Sequence, residues 1–241
     1  MYTKPPKLTA RLAAVAGLVP PGSTVADIGT DHAYLPIWLT MSGRCPRAVA
    51  SDIKEGPVRR AADMVGRYGQ AGRIVIRQGA GLAPVAAGEA DCIVIAGMGG
   101  LVIAEILKQG EQVLKGARQI ILQPMTAVPE LRAFLCQNGY RIQQELLAQE
   151  DEKLYHILSV SQDGPAEQYT DFECYMGKLL LAKGAAHRRA YLEKQQCRLR
   201  RMLSGLQHTH GSAAAEKEAR VRGYLAQIAA LLDADAGVRE P

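Results

Sequence analysis

Between residues 24 and 160, short apolar runs alternate with segments whose apolar residues recur at helical spacing. The runs at 24–28, 48–52, 73–77, 91–96 and 119–123 predict strands buried on both faces, the habit of a parallel sheet. Two more, at 141–147 and 155–160, flank the polar stretch 148–153 and predict a terminal antiparallel pair. Helical patterns at 36–41, 56–68, 101–108 and 128–137 supply the covering layers. A helix over 7–18, with Leu8, Leu12, Val15 and Ala16 on one side, is expected to lie over a ligand or to pack on the sheet. The fold class is α/β, a doubly wound sheet.

The period changes after the turn residues Asp163, Gly164 and Pro165. Val221, Tyr224, Leu225, Ile228, Leu231 and Leu232 fall on one helical stripe, and Leu192, Leu199, Met202, Leu203 and Leu206 nearly repeat it. His208, Thr209, His210, Gly211 and Ser212 read as the turn between two antiparallel helices, a coiled-coil-like hairpin. Two domains are therefore expected, 1–163 and 164–241.

With 241 residues, 48% of them hydrophobic, the chain can bury one full core and carry a small appendage. It has no apolar run able to span a bilayer and no signal-peptide core near Met1, so a cytoplasmic protein without a membrane partner is expected. Five widely spaced cysteines fit reduced thiols. No metal site is expected, because His208 and His210 lack Cys or carboxylate partners. The net charge of +5 is uneven: residues 175–222 carry eleven Lys/Arg against three Glu, a local +8 that leaves −3 elsewhere. Arg188, Arg189, Arg198, Arg200 and Arg201 crowd the first hairpin helix. They read either as a solvated face or as contacts to a polyanion.

The loop after the first strand carries the chemistry. Asp27 and Asp31 bracket Gly29, and the second and third glycines of a dinucleotide fingerprint are missing. A pyrophosphate on the following helix N-terminus would meet Asp31, whereas the sulfonium of S-adenosyl-L-methionine (SAM) would be attracted. Asp52 ends the second strand where an acid takes ribose hydroxyls; its bland alternative is a turn cap. The cofactor set is completed by His32 after the first strand, Ile53 after the second, Gly79 and Ala80 after the third, and Ala96, Gly97, Met98 and Gly99 after the fourth. Thr126 is expected to cap the helix after the fifth.

The strings from Leu8 to Ala16, Asp27 to Pro36, Ile95 to Gly100 and Ile121 to Pro124 together resemble the bacterial tRNA (adenine-22)-N1-methyltransferase family. The similarity runs from about Leu8 to Val160. It implies a Rossmann-like, class I SAM-dependent methyltransferase sheet with a C-terminal coiled-coil domain, and methyl transfer to N1 of an adenine in the D-arm region of tRNA. By the same resemblance Asp31 is the catalytic acid, while Asp27, Gly29 and Asp52 are cofactor positions. Ala80 stands where relatives carry Asp, and Met125 where some carry Asn.

Adenine N1 offers an in-plane lone pair, so the task is alignment and charge stabilisation. Asp31 suits that role or removal of a proton from the N6 amine, with helix capping as its alternative use. His32 and Tyr34, with Met98, are candidates to touch the target base, with a core position as the alternative for Tyr34. N1 is accessible only in an unpaired or flipped base. The expected partner is tRNA, held by a monomer or, as the alternative, by a dimer. The alternatives are a methyltransferase acting on another nucleic acid or a small molecule, and a SAM-binding regulator.

Overall fold

The computed structural model describes residues 2–162, 167–182, 188–206 and 211–236. Asp163, Gly164 and Pro165, and the histidines at 208 and 210, lie outside the described residues. In chain order, α1 (Ala10–Leu18), β1 (Val25–Ile28), α2 (Tyr34–Met41), β2 (Ala48–Asp52), α3 (Glu55–Arg67) and β3 (Ile74–Gln78) form the first half. Then come β4 (Cys92–Gly99), α4 (Gly100–Gln109), the one-turn α5 (Glu111–Leu114), β5 (Gln119–Thr126), α6 (Val128–Gln137), β6 (Arg141–Glu150) and β7 (Lys153–Ser161). The sheet order is β3-β2-β1-β4-β5-β7-β6, parallel except that β7 opposes both its neighbours. The chain runs outward from β1 to β3, then crosses to β4. The order reverses between β1 and β4, where doubly wound sheets open a crevice for a ligand.

β1 is buried along its whole length, Asp27 included, although that acid interrupts its apolar run. The helix before it packs on the sheet: Val15, Ala16 and Val19 join a core with Ala148 of β6 and Ile157 of β7. Two of its orphan N–H groups are satisfied. Thr9 Oγ1 accepts from Leu12 at 3.4 Å, and Glu150 Oε1 accepts from Arg11 at 2.7 Å.

Several boundaries differ from the sequence expectation for local reasons. β4 and β5 continue past Ala96 and Gln123, because pairing resumes at Met98–Pro124 and Gly99–Thr126 around a bulge at Gly97. The glycine-rich segment is thus paired strand more than turn. Thr126 stays in β5 and caps nothing; Ala127, at φ 53°, precedes α6. β6 and β7 absorb most of the polar stretch, leaving only Asp151 and Glu152 as the turn. A helix missing from the expectation, α7 (Asp171–Met176), starts with a capping box between Thr170 and Glu173.

The chain divides into two compact units after Gly177, later than the expected break at 163. Arg132 of α6 is the cause: its Nη1 donates to the carbonyls of Cys174 and Tyr175 at 2.6 and 3.1 Å, tying α7 to the sheet unit. The second unit contains α8 (Arg188–Leu206) and α9 (Ser212–Ala236). An ion pair from Arg188, at the start of α8, to Asp235, near the end of α9, makes them antiparallel. Tyr191, Leu192 and Leu199 of α8 and Val221 and Ile228 of α9 are buried.

Candidate active site

The site is built at the carboxyl ends of β1, β2 and β4. Gly29 and Thr30 both donate backbone N–H to Ser51 O, at 2.7 and 2.9 Å, which pins the loop against β2. Gly29 has φ 79°, which favours glycine, and a Cβ there would displace the Met98 methyl group. Asp31 and Ala33 also adopt positive φ, 43° and 54°. Left-handed non-glycine residues each cost about 1 kcal/mol or more, and such strain concentrates where a ligand must be met.

Asp27 is only 6% exposed. Thr30 Oγ1 donates to its Oδ2 at 2.5 Å. Burial pushes its carboxyl up to about 6, against the Thr30 bond and the charge of Arg11, while the charge of Asp52 adds to the rise. A buried carboxylate this poorly compensated, at the mouth of a crevice, is a candidate position for a cationic ligand.

Asp52 Oδ1 accepts from Lys54 N–H at 2.9 Å, so the capping role is real, and the second oxygen remains for a hydroxyl. Ile53 beside it is 61% exposed, an aliphatic platform for a flat ring. Gln78 Nε2 donates to Ile53 O at 3.2 Å and holds the β2 and β3 ends together. Gly79 follows, packed under Pro84. Ala80 opens on a depression of about 280 Å³ shared with Leu82, Val85, Gln109 and Gly110.

Asp31 does not cap α2, whose N-cap is Ala33. Its carboxylate is half exposed and takes Arg60 Nη2 at 2.5 Å, with His32 Nε2 at 3.6 Å. The His32 and Tyr34 rings stack at 5.4 Å and 15°, presenting an aromatic edge beside the carboxylate.

Two residues were missed from the sequence. Gln123, fully buried at the end of an apolar strand, accepts through Oε1 from the Gly97 N–H at 3.0 Å and from Arg11 Nη1 at 2.6 Å. It thereby satisfies the donor freed by the bulge. A lone amide closing the run Ile120–Leu122 was the available signal. Arg11 carried none, because its partner lies 112 residues away.

In the second unit Arg188 is a correction. It is 7% exposed, bonded to Leu181 O and Asp235, and so has no face for a polyanion. Arg189 pairs with Glu193 at 3.0 Å, while Arg198, Arg200 and Arg201 are exposed. Among the described residues there is no cluster of three metal-ligating side chains and no helix long and apolar enough to cross a membrane.

Residues 8–158 match the family model described as a methyltransferase domain. The chain is 37% identical over 206 residues to the tRNA (adenine(22)-N(1))-methyltransferase of Bacillus subtilis (strain 168), covering 84% of this chain and 83% of that protein. The chain belongs to this methyltransferase family. Solved structures of the family align along nearly the whole chain. The crystal structure of the B. subtilis tRNA methyltransferase TrmK superposes with a TM-score of 0.83 at 29% identity, covering 94% of this chain and 99% of that one. The Streptococcus pneumoniae protein Sp1610, in complex with S-adenosyl-L-methionine, gives 0.79 at 30%, covering 91% and 100%. Both alignments run beyond the residues of the domain match.

Proposed function

We propose that this methyltransferase transfers a methyl group from S-adenosyl-L-methionine to N1 of adenine 22 in tRNA. The observation that carries the reading is the carboxylate loop, Asp27-Ile28-Gly29-Thr30-Asp31, at the switch point of a chain 37% identical to an enzyme of that name. The residues present fit the cofactor. Asp52 has an oxygen for the ribose hydroxyls, and Ile53 offers a platform for adenine, with Gly79 and Ala80 at its edge. Asp27 is a buried anion for an ammonium group, and Gly29, Ala96, Gly97, Met98 and Gly99 allow close approach. Bound SAM supplies an electrophilic methyl group attached to a sulfonium.

The chain's own residues do the rest. The His32–Tyr34 pair and Met98 bound the space for the target base, and strain fixes the loop before substrate arrives. Asp31 supplies negative charge where methylation makes adenine cationic, or takes the N6 proton. Arg60 holds Asp31 in place in the absence of RNA. Arg189, Arg198, Arg200 and Arg201 form a basic surface for tRNA phosphates, compatible with recognition of a folded RNA by shape and backbone. A cytoplasmic location follows from such a substrate.

Calorimetric titration and methyl transfer test the reading together. SAM should bind and NAD should not, and unmodified tRNA should accept label from SAM. NAD binding without SAM binding would refute it.

A further inference from the structure

We infer that Arg60 is a positioning residue for methyl transfer, which grips one carboxylate oxygen of Asp31 and leaves the other for the target base. The role rests on the function proposed above. Arg59 and Arg60 are neighbours on α3, yet they are used differently. Arg59 pairs with Glu55 of its own helix at 2.5 Å, an ordinary i,i+4 surface contact. Arg60 instead reaches off the helix to the loop after β1, 29 residues away in the chain. Its side chain lies back over the first turn of α3, where Gly56 leaves it room: a Cβ there would come within 3.6 Å of Arg60 Nη1.

Two donors converge on a single oxygen. Arg60 Nε donates to Asp31 Oδ1 at 3.2 Å, and Nη2 donates to the same atom at 2.5 Å. Oδ2 takes neither; its neighbour is His32 Nε2, at 3.6 Å. His32 in turn stacks on Tyr34, the pair that bounds the space for the target base. Asp31 does not cap α2 and is half exposed, so its carboxylate is oriented by Arg60, with His32 at longer range. In the transfer, the adenine N1 lone pair forms the new N–C bond. The methyl–sulfur bond breaks with its electron pair going to sulfur, and the positive charge passes to the adenine. The N6–H groups of that cation are stronger donors, and Oδ2 is the oxygen left to accept from them. A carboxylate free to turn would offer that oxygen only part of the time.

The test separates turnover from binding. Arg60→Gln should lower kcat for tRNA methylation by about 10-fold or more, the effect of a misplaced catalytic group, with KM for tRNA and SAM affinity within about twofold. Arg60→Lys should recover only part of the loss, because a point charge cannot grip one oxygen from two nitrogens. The deciding measurement repeats Arg60→Gln in the Asp31→Asn protein. No carboxylate remains there to be placed, so the further loss should be within about twofold. A loss as large in that protein as in the unaltered one would mean that Arg60 acts elsewhere, and would overturn the assignment. So would a raised KM for tRNA at unchanged kcat with a flatter salt dependence, which would make Arg60 a phosphate contact. An unchanged rate would reduce the pair to a solvated surface contact. If the unaltered protein transfers no methyl group to tRNA, the function proposed above fails and this role falls with it, a result distinct from the other three.

Discussion

Asp27 and Glu145 are both buried carboxylates of the sheet unit, yet their surroundings drive them in opposite directions. Around Glu145 burial opposes ionisation, but Arg132 and His156 outweigh it and hold the carboxyl below its ordinary value. Arg132 Nε donates to Oε1 at 3.0 Å, Nη2 reaches the same atom, and His156 Nδ1 lies 3.3 Å away. Gly177 seals the cluster, since a Cβ there would stand 2.5 Å from Glu145 Oε2. At Asp27 burial wins and the carboxyl rises. One cluster is paired with positive charge and works as a strut; the other is short of positive charge, which under the proposed function a cationic ligand would supply. Depth alone does not separate them. The balance of compensation does.

Breaking the strut has the largest expected effect. Arg132→Met strands the Glu145 charge and should cost about 3–5 kcal/mol in denaturant unfolding, with SAM affinity of the folded fraction unchanged. A cost below about 1 kcal/mol would mean that the cluster is not what holds α7 to the sheet.

The open carboxylate predicts a pH dependence of definite sign. The folded value near 6 exceeds the ordinary 3.8, so the folded state binds the proton more tightly. Stability from this group is present below about pH 4 and is lost as pH rises through 6, about 3 kcal/mol in all. Asp27→Asn should remove that slope in ligand-free unfolding curves. SAM affinity should rise from pH 5 to 7 in the unaltered protein, as Asp27 ionises. A ligand-free stability difference between the two proteins that stays flat from pH 4 to 7 would contradict the assignment.

At the rim of the open site, Asp31→Asn tests chemistry apart from binding, because asparagine also tolerates positive φ. Methyl transfer should fall about 100-fold or more, with SAM and tRNA affinity little changed. A matching collapse in SAM affinity would make Asp31 a cofactor ligand only.

Further out, neutralising Arg198, Arg200 and Arg201 together should flatten the salt dependence of tRNA binding by about 0.7–0.9 in log–log slope per lost phosphate contact, leaving SAM affinity intact. Full retention of slope would make the basic helix a solvated face. The smallest effect belongs to Ala80→Asp, expected to tighten SAM by about 0.5–1.5 kcal/mol through one restored hydrogen bond. No gain would mean that adenine is held differently from the family pattern.

What was legible in the sequence follows the same division. The strands, the helices between them and the terminal antiparallel pair are encoded locally, in apolar runs closed by glycine and acid, and the structure has them. The paired extension of β4 and β5 was hidden, since glycine-rich segments look like turns until a partner strand covers them. Arg11, Gln123, Arg132 and Glu145 take their meaning from contacts distant in sequence, which no window reveals. Arg188 shows the converse: a charge run averaged over the helix concealed that its first arginine is buried against Asp235. The α7 capping box, by contrast, was written plainly and overlooked.

The most direct test of the central claim is to map methylation on two tRNA transcripts, one with adenine at position 22 and one with guanine there, after incubation with SAM. The account predicts 1-methyladenosine at position 22 of the first, detected by nucleoside analysis and a reverse-transcription stop, and no product on the second. Equal methylation of both transcripts, or a methylated base other than 1-methyladenosine, would contradict it.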